Sequence, residues 1–181
     1  TGGMTAKEIE DGSVIFEDDN LKISAFKVFH EPIEPALGYK FEYKDRVLVI
    51  SGDTRYDSEL IKSFKGADVL FCEVISPDIV DRFIKVAEQQ NDAKLKKILV
   101  DILDYHISPL EAVDLANEAG VRHLVYYHLT PTLPTEIRFL SDKFFFAGVD
   151  EAIENWTAST DGTMVVLPSN SKEILSTLLV K

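Results

Sequence analysis

Cysteine is almost missing. Cys72 is the only one in 181 residues, so no internal disulfide can staple the fold and no thiolate-rich zinc module can form. Basic residues are scarce as well: 19 lysines and arginines stand against 31 aspartates and glutamates, a formal charge of -12. That charge repels phosphate backbones, and bulk electrostatics gives nucleic-acid binding no support. No apolar run reaches the roughly 18 to 20 residues that a membrane span needs. The opening Thr1-Gly2-Gly3-Met4 has no signal-peptide plan. Internal repeats, low-complexity tracts and linkers are absent too. What is present, 45% hydrophobic and 28% charged residues, is the balance of one soluble globular domain over residues 1–181, with the cytoplasm the favoured compartment.

The first third reads as strands. Ser13 to Phe16 and Leu21 to Phe29 flank the acidic turn "EDDN", and a second hairpin joins Tyr39–Tyr43 to Arg46–Ile50 through Lys44-Asp45. After Asp53 strand-like and helical runs alternate, the sign of an α/β layer. Asp57 or Ser58 caps a short helix ending before Gly66, and "DVLFCEV" (Asp68 to Val74) follows as a buried strand. Ser76-Pro77 opens a helix through about Gln90 with Ile79, Phe83, Ile84 and Ala87 on its core face. "SPLE" is a clearer start, with Ser108 as N-cap, Pro109 at the first helical position and Glu111 closing a capping box. That helix runs to Ala119, Gly120 suits its left-handed C-terminal cap, and Val121 to Tyr127 is the next strand. The stretch Trp156 to Leu167 reads as a hairpin turned at Asp161-Gly162.

Three apolar strands stop on groups able to bind metal: "FKVFH" at His30, "VLVISGD" at Asp53 and "HLVYYH" at His128. In open α/β architectures such ends face a shared crevice where ligands bind. Two imidazoles and a carboxylate suit zinc, manganese or iron equally, with positions left open for water. Each histidine is also at home as a hydrogen-bonded surface residue. Glu73, at the end of "DVLFCEV", and His106, just ahead of the Ser108 helix, fit the same crevice. A carboxylate paired with an imidazole orients it and raises its pKa, as a general acid near neutral pH requires; otherwise Glu73 is a buried cap and His106 a loop residue. His123 begins its strand, at the opposite edge from His128, and reads as structural. Asp101 and Asp104 rank below Asp53 because no strand aims them.

The ordered segments "VFHEPIEPALGYKFE", "VISGDTRYDSEL", "GADVLFCEV" and "DYHISPLEAVDLANEAGVRHLVYYHLTP" resemble the second half of ribonuclease Z-like and arylsulfatase-like metallo-β-lactamase-fold hydrolases. The match runs from about Ile9 through Leu133, and less specifically through "DGTMVVLPS" to the end. The resemblance implies an αββα sandwich, of which this chain is the C-terminal half: a mixed sheet with helices on its outer face. It also implies two divalent metal ions, with His30 a ligand of one, His128 of the other and Asp53 the bridge between them. Glu73 would hold His106, and His106 would pass a proton to the leaving oxygen.

The same resemblance marks what is absent. Such hydrolases carry an HxHxDH motif in their first half, and this sequence has none. With His30, Asp53 and His128 alone each cation would have two protein ligands, fewer than the three usual for a catalytic zinc. The chain is therefore expected to be inactive alone and to bind little or no metal. Its sheet should present an apolar face to a missing N-terminal half or a homodimer mate. Cys72 stands where the family usually has a histidine, and Ile107 where a small residue follows the catalytic histidine. Members that process transfer RNA carry a long arm between "GY" and "SGDT"; here Phe41 to Val49 suffices only for a tight hairpin. The expected substrate is thus a small phosphodiester, arylsulfate or related ester attacked by a metal-activated water. A non-catalytic, partner-requiring subunit and a ribonuclease Z-type transfer-RNA endonuclease are the alternatives.

Overall fold

A computed structural model describes residues 3, 6–132 and 138–179, the side chains of 138–141 excepted. Most of the opening "TGGM" and Leu133 lie outside the described residues. Seven strands form one mixed sheet in chain order: β1 (Val14–Glu17), β2 (Leu21–Val28), β3 (Ala36–Tyr43), β4 (Arg46–Ile50), β5 (Val69–Ile75), β6 (His123–Thr130) and β7 (Trp156–Ala158). The first four run antiparallel and the last four parallel, with β4 common to both halves. Local turn chemistry makes the antiparallel half. Oδ1 of Asp18 accepts from the N–H groups of Asn20 and Leu21 at 2.8 Å each, an Asx-type turn. Lys44 takes a φ of 53° in the two-residue turn that pairs Tyr43 with Arg46, the left-handed conformation such hairpins demand.

The parallel half needs crossovers, and helices supply them. Between β4 and β5 lies α1 (Leu60–Phe64). Between β5 and β6 lie α2 (Pro77–Gln89), α3 (Ala93–Asp101), a 3₁₀ turn over Ile102–Asp104 and α4 (Pro109–Ala119). Between β6 and β7 lie α5 (Arg138–Phe145) and α6 (Val149–Ala152). The "SPLE" expectation holds in full: Ser108 and Glu111 form both bonds of the capping box, and Gly120 closes α4 at φ 67°. For α1 the cap differs, because Asp57 accepts from Glu59 N–H at 3.0 Å, one position ahead of the helix. Helix α3 was not foreseen from the sequence. Asp92 caps it by accepting from Leu95 N–H at 2.9 Å.

The sheet's two faces are unequal. On one, Phe26, Val49, Leu70, Cys72, Leu124 and Tyr126 pack against Leu60, Phe64, Ala112, Leu115 and Val149 of the helices, nearly all with no exposed surface. Burial of each large side chain there contributes on the order of 1.5–3 kcal/mol. The opposite face aligns Ile23, Phe41, Leu48 and Val69 in one row and Tyr39, Ile50, Phe71 and Val125 in the next. Most of these are only half buried, and none belongs to the helix-packed core.

Two expectations need correction. On α2 the core positions are Ile79, Val80 and Ala87, with Ile84 partly buried, whereas Phe83 is exposed; a second cluster of Ile75, Leu99 and Val80 sets the buried face. Trp156 to Leu167 is not a hairpin. β7 instead pairs parallel with β6, while β8 (Thr163–Val166) joins β9 (Leu175–Leu178) in a separate two-stranded sheet. The bend near Asp161-Gly162 is real, since Thr163 N–H donates to Thr160 O at 2.9 Å, but the partner strand is chosen across the sheet.

Candidate metal centre

His30, Asp53, Glu73, His106 and His128 gather at the ends of β2, β4, β5 and β6, whereas His123, Asp101 and Asp104 do not. The loop after β4 delivers Asp53 through Gly52, whose φ is 67° and whose missing Cβ would sit 2.7 Å from Leu37 O. Only glycine fits there, so "SGD" is a requirement of the turn. Thr54 ties the loop to the end of β2: its Oγ1 accepts from Phe29 N–H at 3.0 Å, and Arg55 N–H donates to Phe29 O at 2.8 Å. His30 is thereby set beside Asp53.

His128 does not end its strand as expected. It occupies a bulge inside β6, because Glu73 pairs with Tyr127 and Val74 with Leu129, leaving His128 without a partner residue at φ 47°. A bulge turns a side chain away from the regular alternation, and here it points the imidazole at Asp53. Oδ1 of Asp53 lies 3.5 Å from His128 Nδ1, and Oδ2 lies 3.9 Å from His30 Nε2. One carboxylate thus turns each oxygen to a different imidazole.

Glu73 is completely buried, and its Oε1 gathers three groups: Thr54 N–H at 3.0 Å, Ile107 N–H at 3.3 Å and His106 Nδ1 at 3.0 Å. An oxygen that accepts from two amides leaves Nδ1 as the protonated nitrogen of His106, with Nε2 turned outward. Burial raises the Glu73 pKa against the opposing pull of His106. For His106, burial pushes the imidazolium down, but the hydrogen bond and charge of Glu73 and the charge of Asp53 outweigh it, and the net direction is up. Oε2 of Glu73 has no hydrogen-bond partner among the described residues.

Asp53, Glu73, His106 and His128 each offer a ligand atom, all within 4.8 Å of one another. His30 lies outside that foursome, beside the other oxygen of Asp53 and against the His106 ring. A carboxylate with an imidazole beside each oxygen is a donor set that fits two cations sharing Asp53 better than one cation taking every donor. Asp101 and Asp104 take no part in the cluster; Asp101 pairs with Lys97. His123 stands at the opposite end of β6, with Nε2 2.9 Å from Thr157 Oγ1, and burial lowers its pKa. Cys72 is fully buried and burial holds its thiol protonated, so it is inert packing beside the site.

Sequence reasoning missed three contributors. Ser51 accepts from Glu73 N–H at 3.2 Å, Thr54 holds the loop, and Tyr105 stacks on both His30 and His106 with ring centroids 4.7 and 5.1 Å away. Tyr105 precedes His106 in "DYH", and that adjacency was its only signal.

A family model described as a beta-lactamase superfamily domain matches residues 2–129. A ribonuclease Z from Mycolicibacterium paratuberculosis is 35% identical over 130 residues, covering 72% of this chain and 42% of the relative. The chain thus spans about two fifths of the length of this relative and of a second ribonuclease Z, from Mycolicibacterium gilvum. Among solved structures, the metallo-beta-lactamase fold protein YhfI from Bacillus subtilis superposes with a TM-score of 0.52 at 18% identity, covering 84% of this chain and 52% of that one. Zn(2+)-bound PqqB from Methylobacterium extorquens gives 0.55 at 16% identity, covering 83% and 52%. At these identities the two structures speak to the fold, and the fold they share with this chain is the metallo-β-lactamase fold.

Proposed function

The chain belongs to the beta-lactamase superfamily, and from that premise we propose that it carries the C-terminal wall of a metal-dependent phosphodiesterase site. The observation that carries the reading is Asp53, with one oxygen toward His30 and the other toward His128. His30, Asp53 and His128 would hold two divalent cations, zinc, manganese or iron, with Asp53 between them. Such a pair supplies Lewis-acid charge for the phosphoryl oxygens and lowers the pKa of a water.

This chain's own residues do the remaining work. Glu73 fixes the His106 ring through Nδ1, so that Nε2 faces the crevice and, in the imidazolium form, carries the second ring proton there. A proton at Nε2 is placed to neutralise the leaving oxygen, which ends the reaction as an alcohol or phenol. The raised His106 pKa, due to the hydrogen bond and charge of Glu73, favours that protonated form. The remaining ligands would come from an N-terminal half bearing HxHxDH, docked on the half-buried face of Ile23, Phe41, Leu48 and Phe71. A homodimer mate is the other candidate for that place.

The ribonuclease Z relatives favour a second reading, in which the phosphodiester belongs to precursor transfer RNA. The two-residue Lys44-Asp45 turn and the charge of -12 weigh against it. The test is to assay the full-length gene product, loaded with zinc or manganese, on bis(p-nitrophenyl) phosphate, p-nitrophenyl sulfate and a precursor transfer RNA. Turnover of the phosphodiester above the sulfate supports the main reading. Site-specific 3′ cleavage of the RNA moves the assignment to the second, and no hydrolysis of any of them overturns both.

A further inference from the structure

Three aromatic rings pack together at the crevice, and one of them has no role in the reading above. Tyr105 lies 4.7 Å from His30 and 5.1 Å from His106, centroid to centroid, and the two histidine rings are 5.3 Å apart and nearly perpendicular. The three centroids form an almost equilateral triangle. One corner is a candidate ligand of the first cation and another the proton-bearing partner of Glu73; these two rings touch edge to face, and the third corner buttresses both. Tyr105 sits where the 3₁₀ turn Ile102–Asp104 ends, and the next residue but one, Ile107, is wholly buried and bonded through both backbone groups, to Ile75 and Glu73. Its backbone is therefore anchored, and its half-buried ring is held against the histidines by a fixed segment. No hydrogen bond to its hydroxyl occurs among the described residues, so the ring, more than the phenol, is the part in use.

We propose that Tyr105 is a positioning residue for the reaction: its ring braces the touching rings of His30 and His106 from one side and so aims His106 Nε2 at the leaving oxygen. This rests on the phosphodiesterase reading and adds to it the residue that governs how much proton transfer assists departure. An aromatic pair of this kind is worth about 0.5–1.5 kcal/mol beyond its burial, and a misdirected proton donor forfeits more, since general acid catalysis depends on hydrogen-bond reach.

The test compares Tyr105→Phe, Tyr105→Ala and His106→Ala in the metal-loaded full-length gene product, using aryl phosphodiesters of graded leaving-group pKa. Tyr105→Phe should keep kcat within about 2-fold, and Tyr105→Ala should lower kcat about 10- to 100-fold for a phenyl leaving group but only slightly for p-nitrophenyl, with KM little changed. His106→Ala should show the same leaving-group dependence in stronger form. A spectroscopic measurement needs no turnover: in the metal-free protein, Tyr105→Ala should move the ring resonances of His30 and His106 together and leave those of His123 in place. The proposal is overturned if Tyr105→Ala slows all leaving groups equally, if Tyr105→Phe is as slow as Tyr105→Ala, or if the two resonances do not move. Should the wild type be inactive while the resonances move, the phosphodiesterase reading fails and the brace stands; should His106→Ala show the leaving-group dependence and Tyr105→Ala not, the brace alone fails.

Discussion

The two ends of the sheet use the same kinds of side chain to opposite effect. At the end where the parallel strands start, Asp68 is buried and saturated: Val47 N–H donates to it at 2.9 Å, Arg46 Nε lies 3.4 Å away, and Arg122 closes on its other oxygen. The two arginines extend to the carbonyls of Ser171, Lys172 and Glu173 and hold the segment after β8 against the sheet. At the end where those strands finish, Asp53 is half exposed between imidazoles, His128 occupies a strained bulge, and one oxygen of Glu73 has no hydrogen-bond partner among the described residues. The carboxylate is locked into ion pairs at the first end, although Arg46 Nε has no hydrogen-bond partner among the described residues, and it is held open between imidazoles at the second. A charged cluster or one unsatisfied buried atom does not mark a functional site; imidazoles and carboxylates converging on one crevice do.

That contrast can be broken from either side. The largest effect is expected from Asp53→Ala, which should cut phosphodiesterase activity on the order of 10⁴-fold, about 5.5 kcal/mol of transition-state stabilisation, with little change in thermal midpoint. Steady-state kinetics and a melting curve measure both. Asp68→Asn should do the reverse, costing roughly 3–5 kcal/mol of stability by leaving buried Arg46 uncompensated, while the folded fraction keeps its turnover number; denaturant unfolding reads this directly. Glu73→Gln comes next. It keeps the shape but weakens the hold on His106, and kcat should fall about 100-fold, roughly 2.7 kcal/mol, again most for poor leaving groups.

The smallest effect sharpens the comparison through pH. Burial lowers the His123 pKa, so below about 6.5 the unfolded chain takes up a proton that the folded chain resists, and stability falls as pH drops through that window. His106 moves the other way: its pKa is raised, so its protonation favours the fold, and that contribution is lost as pH climbs above about 6.5 and through the raised value. In the metal-free protein, His123→Gln should flatten the acid side of the stability profile and His106→Gln the neutral-to-alkaline side. Identical profiles for the two variants would contradict the assignment of one end as structural and the other as reactive.

Much of this was legible before any coordinates, where the signal was local. The Ser108–Glu111 box and the Lys44-Asp45 turn each solve a problem within a few residues, and each was found. The features that escaped depend on distant strands. His128 is a bulge only because β5 pairs with β6 in a shifted register, and alternation in "HLVYYH" carries no trace of it. Trp156 leaves the expected hairpin because β6 offers a longer partner. Phe83 and Val80 exchange places because Ile75 and Leu99, not the helix's own stripe, decide which side of α2 is covered. Helix α3 hides in "AKLKKILVD", where a single buried leucine faces three lysines and several exposed aliphatic side chains. At the site, the roles of Glu73 and His106 came from family resemblance; their 3.0 Å contact across 33 positions is geometry that spacing could not supply.

The most direct test of the two-cation account is the zinc bound per chain by the full-length gene product and by its Asp53→Ala variant, measured by equilibrium dialysis with elemental analysis. The account predicts two for the wild type and loss of both, or of all but a weakly held one, in the variant. Equal zinc content in the two proteins would show that Asp53 bridges nothing and would contradict it.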